Sequence, residues 1–335
     1  MGSLKGSGLS ISQVTTWDSL LRNDKRSQDR GKKVGILKNK DTYEDADFEE
    51  TAMTLRKLIP EVTGLFSSEP ALVYKDSEPV IIVGELFGDV KALDFILKEF
   101  EDVGNGCIVF LGGYLKADSP SLDILVRLFQ LKIKCPDRVI LLQGRHELAK
   151  NSPLDPVVKD QELFALVKQT FERMPVAAVV NGSIFCINSG VPGGLGAKNI
   201  IKGAQGKLTE HDPFQYIKLL PPEMDKDSET FGRAVYEGFM YCYSWMKLIV
   251  QSHSPVPKGY KWWYEGKLLS LVSAPARNET FTRGAFAVVM NGQLDIFSFG
   301  DLEEGEYHLT DVVKGPYWSL LYRCEYVDTV RRCHT

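Results

Sequence analysis

The chain has 335 residues, 44% of them apolar, with 40 Lys and Arg against 44 Asp and Glu for a net charge of −4, which allows one large domain or two moderate ones, each with a sizeable core. The near balance of charge gives no general attraction to nucleic acid or to an anionic membrane surface, and no apolar stretch approaches the roughly 20 residues needed to span a bilayer. Six scattered cysteines, Cys107, Cys135, Cys186, Cys242, Cys324 and Cys333, lack the spacing of a zinc site and the density of a disulfide scaffold, and read as reduced thiols of an intracellular protein, cytoplasmic or nuclear.

Residues 1–47 are polar and rich in Gly, Ser and Lys, so they cannot bury enough apolar area to order themselves and are expected to form a flexible arm. They lack the apolar core of a secretion signal, and Gly6 stands where an acylation signal beginning Met1-Gly2 needs Ser or Thr, so an unanchored protein is expected. From 48 to 66, Met53, Leu55, Leu58 and Ile59 recur at helical spacing and predict an amphipathic helix that opens the folded domain. Three short apolar runs follow, at 79–83, 107–111 and 138–142, each ending at glycine. They alternate with helical periodicity over 90–100 and 121–131, the pattern of buried strands in β-α-β units whose loops gather at one sheet edge. Beyond Pro175 the texture changes: 176–180, the turn Asn181-Gly182 and 184–187 predict a hairpin. A loop-rich passage spans 189–230, helical periodicity runs over 234–249, and strands are expected at 267–273, 284–290 and 294–299, the last two joined by Asn291-Gly292. Parallel units first and hairpins later suggest two packed sheets flanked by helices.

The loops after these runs carry six short motifs in a fixed order: Gly84-Glu85-Leu86-Phe87-Gly88, Gly112-Gly113-Tyr114-Leu115-Lys116-Ala117-Asp118, Gly144-Arg145-His146-Glu147, Asn188-Ser189-Gly190, Gln251-Ser252-His253 and Ser273-Ala274-Pro275-Ala276-Arg277. In that order they resemble degenerate forms of the Gly-Asp-x-His-Gly, Gly-Asp-x-Val-Asp-Arg-Gly, Gly-Asn-His-Glu, His-Gly-Gly, Arg-Ala-His and Ser-Ala-Pro-Asn-Tyr motifs of the phosphoprotein (Ser/Thr) phosphatase family, calcineurin-like metallophosphoesterases. The resemblance implies an α/β, metallophosphatase-like four-layer fold with two central β-sheets flanked by helices. It divides the chain into the arm at 1–47, a phosphatase-like domain at 48–300 and a C-terminal extension at 301–335 unlike the family.

It also implies metal-assisted phosphomonoester hydrolysis, in which two ions such as manganese, iron or zinc hold a bridging water and clamp the phosphoryl group. By position, the family's first aspartate is Glu85, its histidine partner Phe87 and its bridging aspartate Gly113. The next aspartate is Lys116, the phosphate-binding arginine beside it Ala117, the asparagine ligand Arg145 and the later histidine ligand Asn188. Only His253 keeps a ligand's identity, His146 keeps the place of the general acid, and Arg233 is a loosely aligned remnant of a second phosphate arginine. Loss of the bridging carboxylate, with Lys116 and Arg145 adding positive charge, implies that no metal cofactor is bound, and His146 without a metal-activated water has nothing obvious to protonate. Phe87 is expected to fill the vacated volume.

A catalytically inactive pseudophosphatase, acting as a protein-binding scaffold or regulatory subunit, is therefore the leading expectation. Two alternatives stand beside it: a divergent phosphatase holding one metal on Glu85, Asn188 and His253, and a phosphate or phosphopeptide sensor using Lys116, Arg145 and Arg233 with Gly-rich loop amides. The plainer reading of the two cations is that one pairs with Glu85, since a buried charge must find a partner. By resemblance to the type-one branch, Trp262, Leu269, Leu271 and Ile296 would line an edge groove that accepts a partner peptide as an added strand, though ordinary core residues of a strand fit equally. The arm and the C-terminal extension are the other candidate partner surfaces, and the extension is apolar enough to pack back on the domain.

Overall fold

The structure, a computed structural model, describes residues 45–99, 106–115, 122–144, 147, 160–191, 229–252, 256–275, 283–303 and 306–317. The arm therefore lies outside the described residues except for its last three, which belong to the first turn of α1 (Asp45–Ser68). Among the described residues no helix is long and apolar enough to cross a membrane.

Two six-stranded sheets face each other. At the heart of one, β2 (Val80–Val83), β3 (Cys107–Phe110) and β4 (Val139–Leu141) run parallel, separated by α2 (Val90–Glu99) and α3 (Leu122–Lys134). Beyond β2 the same sheet continues through antiparallel β10 (Gly284–Met290), β11 (Gln293–Glu303) and β12 (Glu306–Tyr317). The other sheet has the order β1 (Leu72–Lys75), β5 (Ala177–Val180), β6 (Ile184–Ile187), β7 (Leu248–Gln251), β9 (Leu268–Leu271) and β8 (Tyr260–Trp263).

Alternation of side chains across each strand explains why the apolar runs are continuous. Ile81 and Val83 of β2 pack outward under α1, α2, α3 and α4 (Gln161–Phe171), whereas Val80 and Ile82 point inward to the core between the sheets. On the far side, Ile249, Val179 and Phe185 pack against Tyr236 and Phe239 of α5 (Glu229–Cys242). The layers are thus helices, sheet, sheet, helix, as the motif order implies. Both predicted hairpin turns form with φ positive at each central residue, Asn181 (48°) with Gly182 (60°) and Asn291 (53°) with Gly292 (75°), matching the twist of the strands they join.

Buried Lys132 on α3 ties α1 and β4 together: its ammonium donates to Glu69 at the end of α1 and to the carbonyls of Pro136 (2.9 Å) and Val139 (2.8 Å), and lies 5.9 Å from the Phe66 ring centre. Helix α4 starts at Asp160, whose carboxylate accepts the N–H groups of Glu162 (3.1 Å) and Leu163 (3.0 Å) and a guanidinium hydrogen bond from Arg56 on α1 (2.5 Å). These donors, the Leu163 N–H foremost, hold the Asp160 carboxyl below the usual aspartate range. Asp160→Ala is expected to remove the cap and cost about 1 kcal/mol, read as a lower urea midpoint with unchanged slope.

Four expectations need correction. The helix expected over 234–249 ends at Cys242, and Leu248, Ile249 and Val250 are a strand buried on both faces, whose unbroken apolar run periodicity alone does not separate from a helix. Met53 is 57% exposed, and the inward stripe of α1 is Ala52, Leu55, Ile59, Val62 and Phe66. The sheet does not stop at residue 300: β11 reaches Glu303, and the first part of the extension supplies β12. Finally, Leu269, Leu271 and Ile296 line no open groove but are fully buried, because they face the core between the sheets, with Trp262 half-buried beside them.

Candidate functional site

At the carboxyl ends of β2, β3 and β4 the loops close on one another. The N–H groups of Leu86 and Phe87 both donate to the Gly113 carbonyl (3.0 Å each), and Gly88 donates to Tyr114 (2.7 Å), so the loop after β2 hangs on the loop after β3. The second sheet joins through two buried hydroxyls. Ser252 Oγ accepts the Glu85 N–H (2.8 Å) and donates to the Leu271 carbonyl (2.6 Å), while Ser273 Oγ accepts the Gly84 N–H (2.8 Å) and donates to the Ala285 carbonyl (2.6 Å). Both hydroxyls use donor and acceptor capacity together, fixing the sheet-to-sheet spacing where the motifs meet.

Two carboxyl groups occupy the centre. Glu85 is 1% exposed, and Asn188 Nδ2 donates to its Oε1 at 3.5 Å. Glu147, equally buried, accepts the successive N–H groups of Gly113 (Oε2, 3.2 Å) and Tyr114 (Oε1, 2.8 Å). Burial pushes the Glu147 carboxyl up to about 7 against the opposing pull of these N–H groups, and the neighbouring Glu85 carboxylate adds to the rise. Tyr114 is buried as well, and its hydroxyl donates to the Leu142 carbonyl at 2.7 Å.

Gly113 adopts φ +69°, and a Cβ there would meet Glu85 Cγ at 2.1 Å and Cδ at 2.7 Å. A Cβ on Gly144 would meet Glu147 Oε2 at 2.0 Å. The space through which a carboxylate at position 113 would project is thus filled by the side chain of Glu85.

Of the residues singled out from the motifs, the structure brings Glu85, Gly113 and Asn188 together. Phe87 does not fill the vacated space: it is partly exposed, takes φ +46° and is not among the side chains of the three apolar cores, because Glu85 already occupies that volume. Lys116, Ala117, Arg145, His146 and His253 lie outside the described residues, as does the side chain of Arg233 on α5. The sequence reading assigned no role to Glu147, Ser252 or Ser273. Their signal was their place beside the motif glycines and His253, visible only once the loops are seen to converge.

A bridged metal pair needs a carboxylate that reaches both ions, with imidazole and further carboxylate ligands around it. The described residues do not fit that requirement. Position 113 is glycine with Glu85 packed against it, and among the described residues no group of three His, Cys, Asp or Glu side chains converges to hold an ion.

Residues 78–295 match the family model for calcineurin-like phosphoesterases. The serine/threonine-protein phosphatase 4 catalytic subunit of Kluyveromyces lactis is 26% identical over 243 residues, 68% of this chain and 78% of that protein. Its namesake from Candida glabrata is 26% identical over 271 residues, 73% of this chain and 87% of that protein. In fold, the chain is similar to a protein serine/threonine phosphatase from Saccharomyces cerevisiae with similarity to human phosphatase PP5, at a TM-score of 0.61 and 18% identity over 76% of this chain and 91% of that one. With the family model spanning well over half its length and the motifs falling where its two sheets meet, the chain belongs to the calcineurin-like phosphoesterases and, among them, to the phosphoprotein phosphatase family.

Proposed function

We propose that this chain is a pseudophosphatase: a member of the phosphoprotein phosphatase family that does not hydrolyse phosphoesters and acts by binding other proteins, as scaffold or regulatory subunit. The observation that carries the reading is the contact between Gly113 and Glu85. The family's bridging carboxylate is missing, and the room it would need is taken by the side chain that replaces the first metal-ligand aspartate. No metal cofactor is expected, and no step of phosphoryl transfer follows from the groups that remain.

Elemental analysis of the purified full chain for manganese, iron and zinc, together with hydrolysis of a generic aryl phosphate, tests it. Substoichiometric metal without turnover is the expected result. Two metals per chain with turnover would overturn it and make the chain a phosphoprotein phosphatase like its relatives. One metal per chain with turnover would select the divergent enzyme, for which the buried contact between Asn188 and Glu85 is the supporting observation.

The phosphate-sensor alternative is less well supported. The Gly113 and Tyr114 amides that would help hold an oxyanion already donate to Glu147. Calorimetric titration with inorganic phosphate should therefore give no heat of binding.

A further inference from the structure

Helices α1 to α4 pack over the outer face of β2, β3 and β4, and α2 reaches the next strands of that sheet through Phe95, whose ring centre lies 4.8 Å from that of Phe299 and 6.4 Å from that of Tyr307. Farther along β10, β11 and β12 the same face is apolar and open. Val312 stands opposite Phe297, Phe297 stands opposite Phe286 and stacks on it at 5.3 Å, and Leu309 stands opposite Phe299, so by register these side chains share the face of the helix-side core. Met290, two residues beyond Val288 on β10, lies on that face as well. Met290, Leu309 and Val312 are 49%, 40% and 48% exposed, three of the six large hydrophobic side chains exposed among the described residues. That half of them share one sheet face marks a surface made to be covered.

The chain itself supplies a cover of the right length. Strand β12 ends at Tyr317, which pairs with Gln293, and Gln293 pairs with Met290, so residues 318–335, outside the described residues, leave the strand at the Met290 corner of this face. Coiled as a helix these 18 residues would span about 27 Å, and the face from Tyr317 back to Leu309 measures about 26 Å along the strand. Within them Trp318, Tyr322, Tyr326, Val330 and Cys333 recur at the spacing of one helical stripe, and all five charged residues, Arg323, Glu325, Asp328, Arg331 and Arg332, fall outside it. The competing stripe through Leu320, Cys324 and Val327 carries Arg331.

We propose that residues 318–335 fold back as a helix on the outer face of β10, β11 and β12, with Trp318 at the Met290 corner and Cys333 beside Leu309. The arrangement repeats the one by which α2 and α3 cover β2 and β3, and it leaves the strand pairing of the sheet untouched. A helix this short is marginal alone and draws its stability from the apolar face it covers. Tethered at Tyr317, it meets that face at an effective concentration of about millimolar or more, which a second copy free in solution does not match. The inference does not rest on the pseudophosphatase reading and concerns residues outside the motif loops.

Leu309→Cys in the full-length protein tests the docking through the native thiols. Mild oxidation of the dilute protein with copper phenanthroline should link position 309 to Cys333 within one chain, identified by mass spectrometry of the tryptic peptides. Met290→Cys, at the opposite corner, should not link to Cys333. Trypsin gives a second reading, because cutting a docked helix requires local unfolding. Cleavage after Arg323, Arg331 and Arg332 should be at least about tenfold slower in the wild type than in Val312→Glu, which sets a charge beneath the helix.

The docked helix is overturned if position 309 links to Cys324 or to neither thiol, or if position 290 links to Cys333 as fast. It is equally overturned if trypsin trims the wild type and Val312→Glu at the same rate while both keep the same circular dichroism and cooperative unfolding. A concentration-dependent dimer in sedimentation velocity that Val312→Glu abolishes would give the face to a second copy and overturn it as well. If Val312→Glu does not fold, the cross-links decide alone. Metal content and turnover do not enter these measurements, so a failed docking leaves the pseudophosphatase reading standing, and the reverse also holds.

Discussion

Gly113→Asp, the single change that would restore the family's bridging carboxylate, is expected to destabilise the fold by about 4 kcal/mol or more instead of rebuilding a metal site. Three penalties coincide. The new Cβ would fall 2.1 Å from Glu85 Cγ, a separation no pair of non-bonded carbons tolerates, so the Glu85 side chain must leave a buried place beside Asn188. The backbone at φ +69° suits glycine and strains any residue with a Cβ. A third buried carboxyl would also be added next to Glu85 and Glu147. Urea unfolding at neutral pH measures the loss. Adding Glu85→Ala removes the two nearest contacts and should restore roughly half of it, a coupling of about 2 kcal/mol in a double-mutant cycle. Additive effects, or a Gly113→Asp protein as stable as the wild type, would show that Glu85 does not occupy the bridging position. Placing a carboxylate at position 113 must therefore go with a change at position 85.

Stability should also depend on pH through Glu147. Its carboxyl titrates at about 7 in the fold but near 4.5 in the unfolded chain. Between those values the folded protein holds a proton that the unfolded chain has released, so the group's contribution is fully present below about pH 4.5 and declines as pH rises toward 7. The decline amounts to roughly 3 kcal/mol, complete by about pH 8. Glu147→Gln cannot titrate. The stability of the wild type relative to this variant, from urea unfolding at intervals between pH 4.5 and 8, should fall with rising pH and then level off. A difference that stays flat across that interval would place the carboxyl in its ordinary range and contradict the burial described for it.

Much of the architecture was legible in the sequence because β2, β3 and β4 are each buried on both faces and stop at glycine, and because Asn-Gly turns announce hairpins. The same double burial hid β7: Leu248, Ile249 and Val250 alternate between two cores, yet as bare letters they extend the preceding helix. Strand β1 was missed because it lies at the end of its sheet, where Leu72 is buried but Tyr74 is exposed and Lys75 breaks the apolar run. Strand β12 was missed because it lies at a sheet edge, where His308, Asp311, Lys314 and Pro316 interrupt the apolar pattern that burial would impose. At the site, the resemblance assigns each of the family's ligand positions to a residue letter, but the letters do not say which side chain packs against Gly113. Phe87 has the bulk for that role. The loop turns through φ +46° at Phe87, however, and Glu85, two residues earlier and anchored through Ser252, is the one packed against Gly113. Glu147 is a similar case: its importance follows from the N–H groups of Gly113 and Tyr114, which no residue letter records.

Those two N–H groups have a further consequence. They form the small concave cradle that commonly receives a bound oxyanion, and here the guest is part of the chain. A carboxyl group held by the same folded chain, 34 residues from Gly113 in sequence, competes at an effective concentration of about millimolar or more and cannot diffuse away. A phosphate group arriving from solution would meet a resident already satisfied by both donors, and evicting it would strand a buried carboxyl without its hydrogen bonds. The cradle is in this sense self-inhibited: it remains built for an anion and is occupied by the chain's own carboxyl group.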